Sequence, residues 1–372
     1  MNILIYSWRG PGHPNEGGAE QVTQEHVKAW TERGHSVTLF TSSYKNAARW
    51  EMVNGVEIIR YGNQIITVQI FAFLWYLFFK HKRFDLVVDQ FHGLPFFTPI
   101  FVRCKILGYI HEVAGEVWSL NPWKYPLSKI PEIAGPIIEP LIFKTFYKNI
   151  QFLTVSVSTK NDLIELGISK NQITVINNGV RPVPLKKLPA KEKKNTVIFL
   201  GALSADKGVY DAIKIFGEID KGDKDWQYWV VGKGGDLEVS KVKNIAKDLG
   251  ITERLKIFGF VSENKKYELL AKAHIMVNPS YHEGWGLVNI EANSVGTPVV
   301  AYNVHGNRDS IISKETGILV EKGDIEKMAF SIISMIRHEK DYEQFRLRCI
   351  KWSKNFNWRL SGKQSCDFIE SL

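Results

Sequence analysis

The sequence predicts an α/β protein made of two doubly wound, Rossmann-like domains. Three observations carry this. The chain has 372 residues, more than one hydrophobic core usually serves. Short apolar runs of strand length alternate with helical segments through both halves, the order that builds parallel sheets. Between the halves, Arg181 to Asn195 holds three prolines, five lysines and one Glu with few apolar residues, which reads as an exposed linker. The domains are therefore expected at 1–180 and from 196 onward, with 181–195 between them.

In the first half, Ile3 to Tyr6 reads as a buried strand. A loop from Ser7 to Gly18 follows, rich in turn formers (Gly10, Pro11, Gly12, Pro14, Gly17, Gly18). Glu20 to Arg33 reads as a helix, with Val22, His26, Ala29 and Trp30 near helical spacing and Gly34 as its stop. Ser36 to Thr41 is the next strand. A dinucleotide fingerprint fails here, because Asn15 stands where its third glycine belongs and the loop is too long for that tight turn. A nicotinamide cofactor is excluded on that ground. Gly17 and Gly18 at the helix start read as a phosphate- or sugar-facing loop, or as a plain flexible connection. Ile65 to Phe79 is the most apolar run. It is shorter than the ~20 residues a spanning helix needs, and reads as a buried or interfacial helix, with the core favoured.

Further strands are expected at Val56–Arg60, Leu86–Val88 and Lys105–His111. His111 then sits at the carboxyl end of its strand, where open α/β sheets place ligands. It either donates a hydrogen bond or carries a proton to a ligand, or caps a backbone carbonyl. From Asn121 to Pro140 come Pro122, Pro126, Pro131 and Pro136, with Trp118 and Trp123 close by. This reads as a proline-rich loop packed on its own domain, or as a surface facing a membrane or an acceptor. Gln151–Ser156, a helix from Ser158 and Ile173–Ile176 end the half at Asn177-Asn178-Gly179.

The second half repeats the alternation. Strands are expected at Val197–Leu200, Trp226–Val231, Leu255–Phe258, Ile275–Asn278 and Ile318–Val320. Helices are expected at Val209–Ile219, Val239–Leu249, Glu263–Ala273, Asp324–His338, Tyr342–Ser353 and Arg359–Ser371. The stretch NPSYHEGWGLVNIEANSVGTPVVAYN, 278–303, stands out. Glu283 and Glu291 flank a loop and helix start that contain Gly284 and Gly286. Glycines admit a ligand close to the backbone, and a helix N-terminus offers N–H groups and partial positive charge to an anion. A carboxylate on either side can accept hydrogen bonds from hydroxyls. A ligand ordered polyol, phosphate, polyol is a nucleotide sugar.

The net charge is +9. It reads as plain solubility, or as attraction to an anionic membrane or substrate; a nucleic-acid partner is not expected, since no reader motif accompanies the charge. Cys104, Cys349 and Cys366 are odd in number and unpaired in spacing, which argues against a disulfide framework or a cysteine zinc site. The N-terminus shows no signal-peptide pattern. The expected place is the cytoplasm. Asp223-Lys224-Asp225 reads as a solvated turn and not as a metal site, and no metal or other cofactor is expected.

With these motifs in order, the chain resembles the family-4 retaining glycosyltransferases of the GT-B fold. The likeness runs from Gly17-Gly18-Ala19-Glu20 through Asn178-Gly179, Lys207-Gly208 and the Glu283–Glu291 loop with its GTPVV sequel to Phe356-Asn357-Trp358. The resemblance implies two Rossmann-like domains facing a central cleft, the first binding acceptor and the second, 196–354, binding donor, with 355–372 returning to the first. It implies that Glu283 contacts the donor sugar and that Gly284, Trp285, Gly286 and Leu287 hold sugar and diphosphate. It also implies that Glu291 binds the ribose, Lys207 pairs with the diphosphate, and backbone near Phe260 and Val261 meets the base. His111 lies near the reacting sugar, and Gly17 and Gly18 close over donor or acceptor. One departure stands out: the family commonly carries an Arg where this chain has Ala202. Arg308 is the candidate substitute; alternatively it pairs with Asp309 or Glu315 on the surface. The implied reaction is transfer of a hexose, with retention, from a nucleotide sugar to a hydroxyl of a saccharide or lipid-linked acceptor. The charge and apolar segments favour an acceptor at the inner face of the cytoplasmic membrane. The alternative is a degenerate nucleotide-sugar-binding or partner subunit, which Ala202 suggests.

Overall fold

The apolar runs of the first half line up as a parallel sheet because each is bounded by turn formers and buried on both faces. The structure is a computed structural model that describes all residues except 66, 81–82, 121–125, 127, 182–188 and 338. The chain divides into two units, Met1–Gly179 with Trp358–Leu372, and Val180–Asn357.

In the first unit the order is β1 (Asn2–Ser7), α1 (Gly18–Glu32), β2 (Ser36–Thr41), β3 (Trp50–Val53), β4 (Val56–Arg60), α2 (Thr67–Trp75), β5 (Leu86–Gln90), α3 (Thr98–Phe101), β6 (Lys105–Ile110), α4 (Lys129–Ile142), β7 (Gln151–Thr154), α5 (Val157–Glu165) and β8 (Ile173–Val175). The sheet runs β3-β4-β2-β1-β5-β6-β7-β8. Every neighbouring pair is parallel except β3 with β4. That antiparallel hairpin turns on Asn54 and Gly55, both at positive φ, the chemistry of a type I′ turn.

Two expectations in this unit are corrected. The 65–79 run does form α2, continued by a turn of π-helix from Tyr76 to Lys80, but it is not a core helix. Val68, Ala72 and Tyr76 face inward, while Ile70, Phe71, Phe73, Leu74, Leu77 and Phe78 are exposed. The proline-rich segment is not a loop over its second part: α4 spans Lys129–Ile142 with Pro136 and Pro140 inside it. Each interior proline forfeits a helical hydrogen bond, so inward packing must hold the helix. Gly135 lies against the Trp118 indole, where a Cβ would come within 2.3 Å of the ring. Glu139 accepts from Ala114 N, Gly115 N and Trp118 Nε1 at 2.9–3.1 Å. Asn121 to Trp123 lie outside the described residues.

The second unit contains β9 (Asn195–Leu200), α6 (Val209–Gly222), β10 (Trp226–Val231), α7 (Asp236–Asp248), β11 (Leu255–Gly259), α8 (Glu263–Lys272), β12 (Ile275–Asn278), α9 (Leu287–Ser294), β13 (Val299–Tyr302), α10 (Asn307–Ser310), β14 (Gly317–Val320), α11 (Ile325–Arg337) and α12 (Glu339–Ser353). Its parallel sheet has the order β11-β10-β9-β12-β13-β14. Residues 182–188 of the expected linker lie outside the described residues. Of the rest, Arg181, Ala190, Lys193 and Lys194 are exposed, while the partly buried Lys191 ties the segment down by donating to Ala273 O at 2.7 Å and Thr297 Oγ1 at 2.8 Å. Burial holds its ammonium well below the usual lysine range.

The last helix, α13 (Trp358–Ser371), belongs to the first unit and packs on α1. His26 Nε2 meets Ser361 Oγ at 2.9 Å, Trp30 Nε1 donates to Ser365 Oγ at 3.0 Å, and Gly362 seats on Ala29.

Candidate active site

In the second unit the chain leaves β9 towards β10 and β11, but leaves β12 towards β13 and β14. The strand order reverses between the adjacent strands β9 and β12, so their carboxyl ends open a crevice for a ligand. The loops that line it are 201–208 and 279–286. Lys207 Nζ lies 3.1 Å from Glu283 Oε1, and Ser280 Oγ donates to the same oxygen at 2.8 Å. The two loops touch through Gly208, at φ 72°, where a Cβ would sit 1.9 Å from Pro279 O. Tyr281 holds the loop from the other side, its N–H on Asp206 O and its hydroxyl on Asp211 Oδ2, both at 2.8 Å. Burial first, and then the bond to Asp211, push this phenol up to about 12.

After Glu283 the chain passes Gly284 and Trp285 and enters α9 through Gly286, at φ 68°. The Trp285 side chain is buried and packs edge-on to Phe356, with ring centroids 5.1 Å apart. It anchors the loop into the core, so of this residue only the backbone is on offer to a ligand. Beneath the loop lies a buried polar network that sequence reading passed over. Asn278 Nδ2 donates to Asn289 Oδ1 and Asn307 Oδ1, and Asn289 Nδ2 to Asn307 Oδ1 and Ser310 Oγ, at 2.8–3.1 Å. These side chains tie the end of β12, α9 and α10 into one support. Gly306 completes it, since a Cβ there would come within 2.4 Å of Glu283 O.

Glu291 lies in α9 and is buried, with Lys266 Nζ of α8 on its Oε1 at 2.5 Å. Burial raises its pKa, and Lys266 opposes the rise. Phe260 is 82% exposed, and with Val261 it forms the segment between β11 and the N-cap Ser262 of α8. Arg308 is exposed on α10 and donates to Asn303 O at 3.4 Å, while Asp309 Oδ2 accepts from Gly306 N at 3.3 Å. Ala202 is exposed. A cation not singled out in the sequence, Lys233, lies on the neighbouring loop, its carbonyl accepting from Leu203 N at 2.8 Å.

In the first unit, Gly17 precedes α1 with extended backbone, and its N–H donates to Glu20 Oε2 at 2.7 Å. Glu20 is buried and pairs with Arg9 at 2.9 Å. Gly18, the first residue of α1, is exposed and has open space where a side chain would stand. His111 follows β6. The Thr23 hydroxyl donates to Ala19 O at 2.9 Å and therefore accepts from Gln90 Nε2 at 2.6 Å. This fixes the Gln90 amide, whose Nε2 also lies 3.0 Å from His111 Nε2. That ring nitrogen is then the acceptor, and the proton sits on Nδ1, which is buried and has no hydrogen-bond partner among the described residues. Burial brings the imidazole pKa down to about 4, with Glu112 opposing and His92 adding. His111 is thus a neutral donor through Nδ1.

The structure brings together Lys207, Glu283 and the Gly284–Leu287 backbone, with Glu291 farther along the same helix. His111, Gly17 and Gly18 belong to the other unit.

Two family profiles match the chain: Glycosyltransferase Family 4 over residues 16–183 and Glycosyl transferases group 1 over residues 181–352. The chain belongs to the family-4 glycosyltransferases. Among its relatives is the poly(glycerol-phosphate) alpha-glucosyltransferase of Bacillus subtilis, 27% identical over 178 residues. That match covers 48% of this chain and 26% of the relative. Among solved structures, sucrose-phosphate synthase from Thermosynechococcus elongatus superposes with a TM-score of 0.80 at 18% identity, covering 100% of this chain and 98% of that one. Anabaena Alr3699/HepE, solved with UDP and glucose, gives a TM-score of 0.74 at 18% identity, with each chain covered completely. The fold is GT-B, as the sequence predicts.

Proposed function

We propose that the protein is a retaining hexosyltransferase that uses a nucleotide-sugar donor and a saccharide or lipid-linked hydroxyl acceptor at the cytoplasmic face of the membrane. The observation that carries this reading is the Lys207–Glu283 pair, 3.1 Å apart at the strand-order reversal and beside the α9 N-terminus. A cation, a carboxylate and a helix start side by side match a ligand that joins hydroxyls to a diphosphate. Binding exchanges partners. Glu283 turns to sugar hydroxyls and Lys207 to the diphosphate, while Glu291 accepts from the ribose and the 260–261 backbone meets the base.

In the reaction the bond from the sugar anomeric carbon to the diphosphate oxygen breaks and its electron pair leaves with the phosphate. The acceptor oxygen bonds to that carbon on the same face, and its proton passes to the departing phosphate oxygen. Lys207 and the α9 N-terminus stabilise the charge that develops on the leaving group, so no step calls on a metal. The roles given to His111, Gly17 and Gly18 rest on the family resemblance. The UDP complex of the HepE structure and the poly(glycerol-phosphate) relative support a nucleotide-sugar donor and a polymeric acceptor.

A thermal-shift panel of nucleotide sugars tests the donor. A matching donor at 100 times its Kd stabilises by ~2.7 kcal/mol, a rise of several degrees, and slow donor hydrolysis should accompany it. No shift and no hydrolysis across the panel would sink the reading. A shift with neither hydrolysis nor transfer favours a binding subunit, the alternative that Ala202 motivates.

A further inference from the structure

We propose that α2, α3 and α4 form a lipid-docking face that seats the first unit on an anionic membrane leaflet. This rests on the reading that the acceptor lies at a membrane, and deepens it by naming the surface. On α4, Ile130, Ile133, Ile137, Ile138 and Leu141 are 58%, 63%, 69%, 47% and 62% exposed. Their spacing makes a single helical stripe. The stripe does not come from a loosely held helix, because the opposite side is fixed by Gly135 on Trp118 and by the three bonds to Glu139.

The apolar surface continues beyond α4. On α2 and its π-helical extension, Ile70, Phe73, Leu77 and Phe78 are 38–72% exposed, and on α3 Ile100 is 54% exposed. Ring contacts link them: Phe73 of α2 meets Phe101 of α3 at 5.2 Å, and Phe97, just before α3, meets Phe146, on the π-helical turn Phe143–Tyr147 that continues α4, at 5.7 Å. They lie on one side of the sheet, since Ile106 and Ile110, alternate residues of β6, pack into the cores beneath α2 and α4 respectively. A contiguous apolar face of this extent marks an interaction surface.

Its chemistry selects a lipid partner. The α4 stripe is wholly aliphatic, without the Trp, Tyr or Arg that anchor protein interfaces. Exposed lysines stand after it, Lys144 and Lys148. The acidic residues of α4 are spent, Glu132 on Lys129 at 2.7 Å and Glu139 in the interior. The sequence from 65 to 79 carries no charge, and beyond it Arg83 is exposed. An apolar face rimmed by cations is the pattern of an interfacial helix. Among the described residues no helix is long and apolar enough to cross a membrane.

Co-sedimentation with vesicles tests the proposal. The full chain should pellet with phosphatidylglycerol–phosphatidylethanolamine vesicles and far less with phosphatidylcholine alone. The variant Ile133→Glu/Ile137→Glu should lose at least tenfold in vesicle affinity, with its melting temperature and donor-induced shift unchanged. Lys144→Glu/Lys148→Glu, which leaves the apolar stripe intact, should lose several-fold on anionic vesicles only and gives an independent reading should the first variant misfold. Wild-type protein that stays in the supernatant overturns the proposal, and so do variants that pellet like wild type. Light scattering without vesicles that shows a dimer broken by Ile133→Glu/Ile137→Glu also overturns it, by assigning the face to a second copy. A protein that pellets as expected but responds to no nucleotide sugar leaves the docking face standing and overturns the donor reading alone.

Discussion

Gln90 gives His111 a definite chemistry. By donating to Nε2 it leaves the proton on Nδ1 and the ring neutral. Gln90→Glu replaces that donor with a carboxylate, which should move the proton to Nε2 and raise the pKa from about 4. Histidine 15N shifts read the tautomer directly, and retention of Nδ1–H in the variant would refute the assignment. At Lys207 stability and activity should separate. The Lys207 side chain is 31% exposed and that of Glu283 15%, and a pair so placed adds no more than ~1 kcal/mol to folding. Lys207→Met should therefore melt close to wild type yet lose ~100-fold or more in kcat/KM, as removal of a charge-stabilising donor does. A further variant addresses the cation missing at Ala202. Arg308→Ala is expected to raise the donor KM or lower kcat; an unchanged kcat/KM would remove Arg308 from the site and turn attention to Lys233, whose loop lies against residue 203. The charged residues of the donor loop were legible in the sequence because glycines and carboxylates at short spacing carry their own chemistry. Gln90, Asn289 and Asn307 were not, because a neutral amide acquires its role from neighbours distant in sequence.

Elements hold the loops through contacts that leave no room. Asn289 is fully buried and bonds Asn278, Asn307 and Ser310. Asn289→Ala strands those partners and should cost ~1–3 kcal/mol, read as a lower urea midpoint with the slope unchanged. Gly306→Ala should act on the loop more than on the unit as a whole, because its new methyl would strike Glu283 O; activity should fall further than melting temperature. Most strands of both sheets were legible, since each is a short apolar run ended by turn formers. Three features depart from the sequence reading. Asn54-Gly55 is a hairpin signal that went unused, and β3 with it. Local proline propensity points to a loop at α4, whereas the packing of Gly135, Trp118 and Glu139 outweighs it. α2 was placed in the core because hydrophobicity alone does not say which side of a helix meets protein. Its exposed side becomes intelligible only beside α3 and α4.

At the scale of the whole molecule, buried histidines make the two units unequal in acid. Burial brings His26 to about 3 and His111 to about 4 in the first unit, and His274 to about 4 in the second, each from 6.5. Lowering the pH from 6.5 towards 4 protonates these histidines in the unfolded chain but not in the native one. Stability present above pH 6.5 is then lost through that window, at ~1.4 kcal/mol per pH unit for each proton taken up. Asp89 and Glu291, buried carboxylates whose pKa values are raised, act in the opposite sense, one in each unit, and so leave the difference standing. Two histidines against one steepen the first unit's acid slope, while Lys191, a base whose pKa burial holds below its usual range, works in the same sense in the second. Melts between pH 7 and pH 5 should show two transitions that draw apart or cross as the first unit weakens faster. His26→Asn, which removes the group lodged between Tyr109 and Ser361, should cut the first unit's slope by about half while lowering its stability at pH 7. A first-unit slope that His26→Asn leaves unchanged would contradict the argument, because it would require His26 to titrate as freely folded as unfolded.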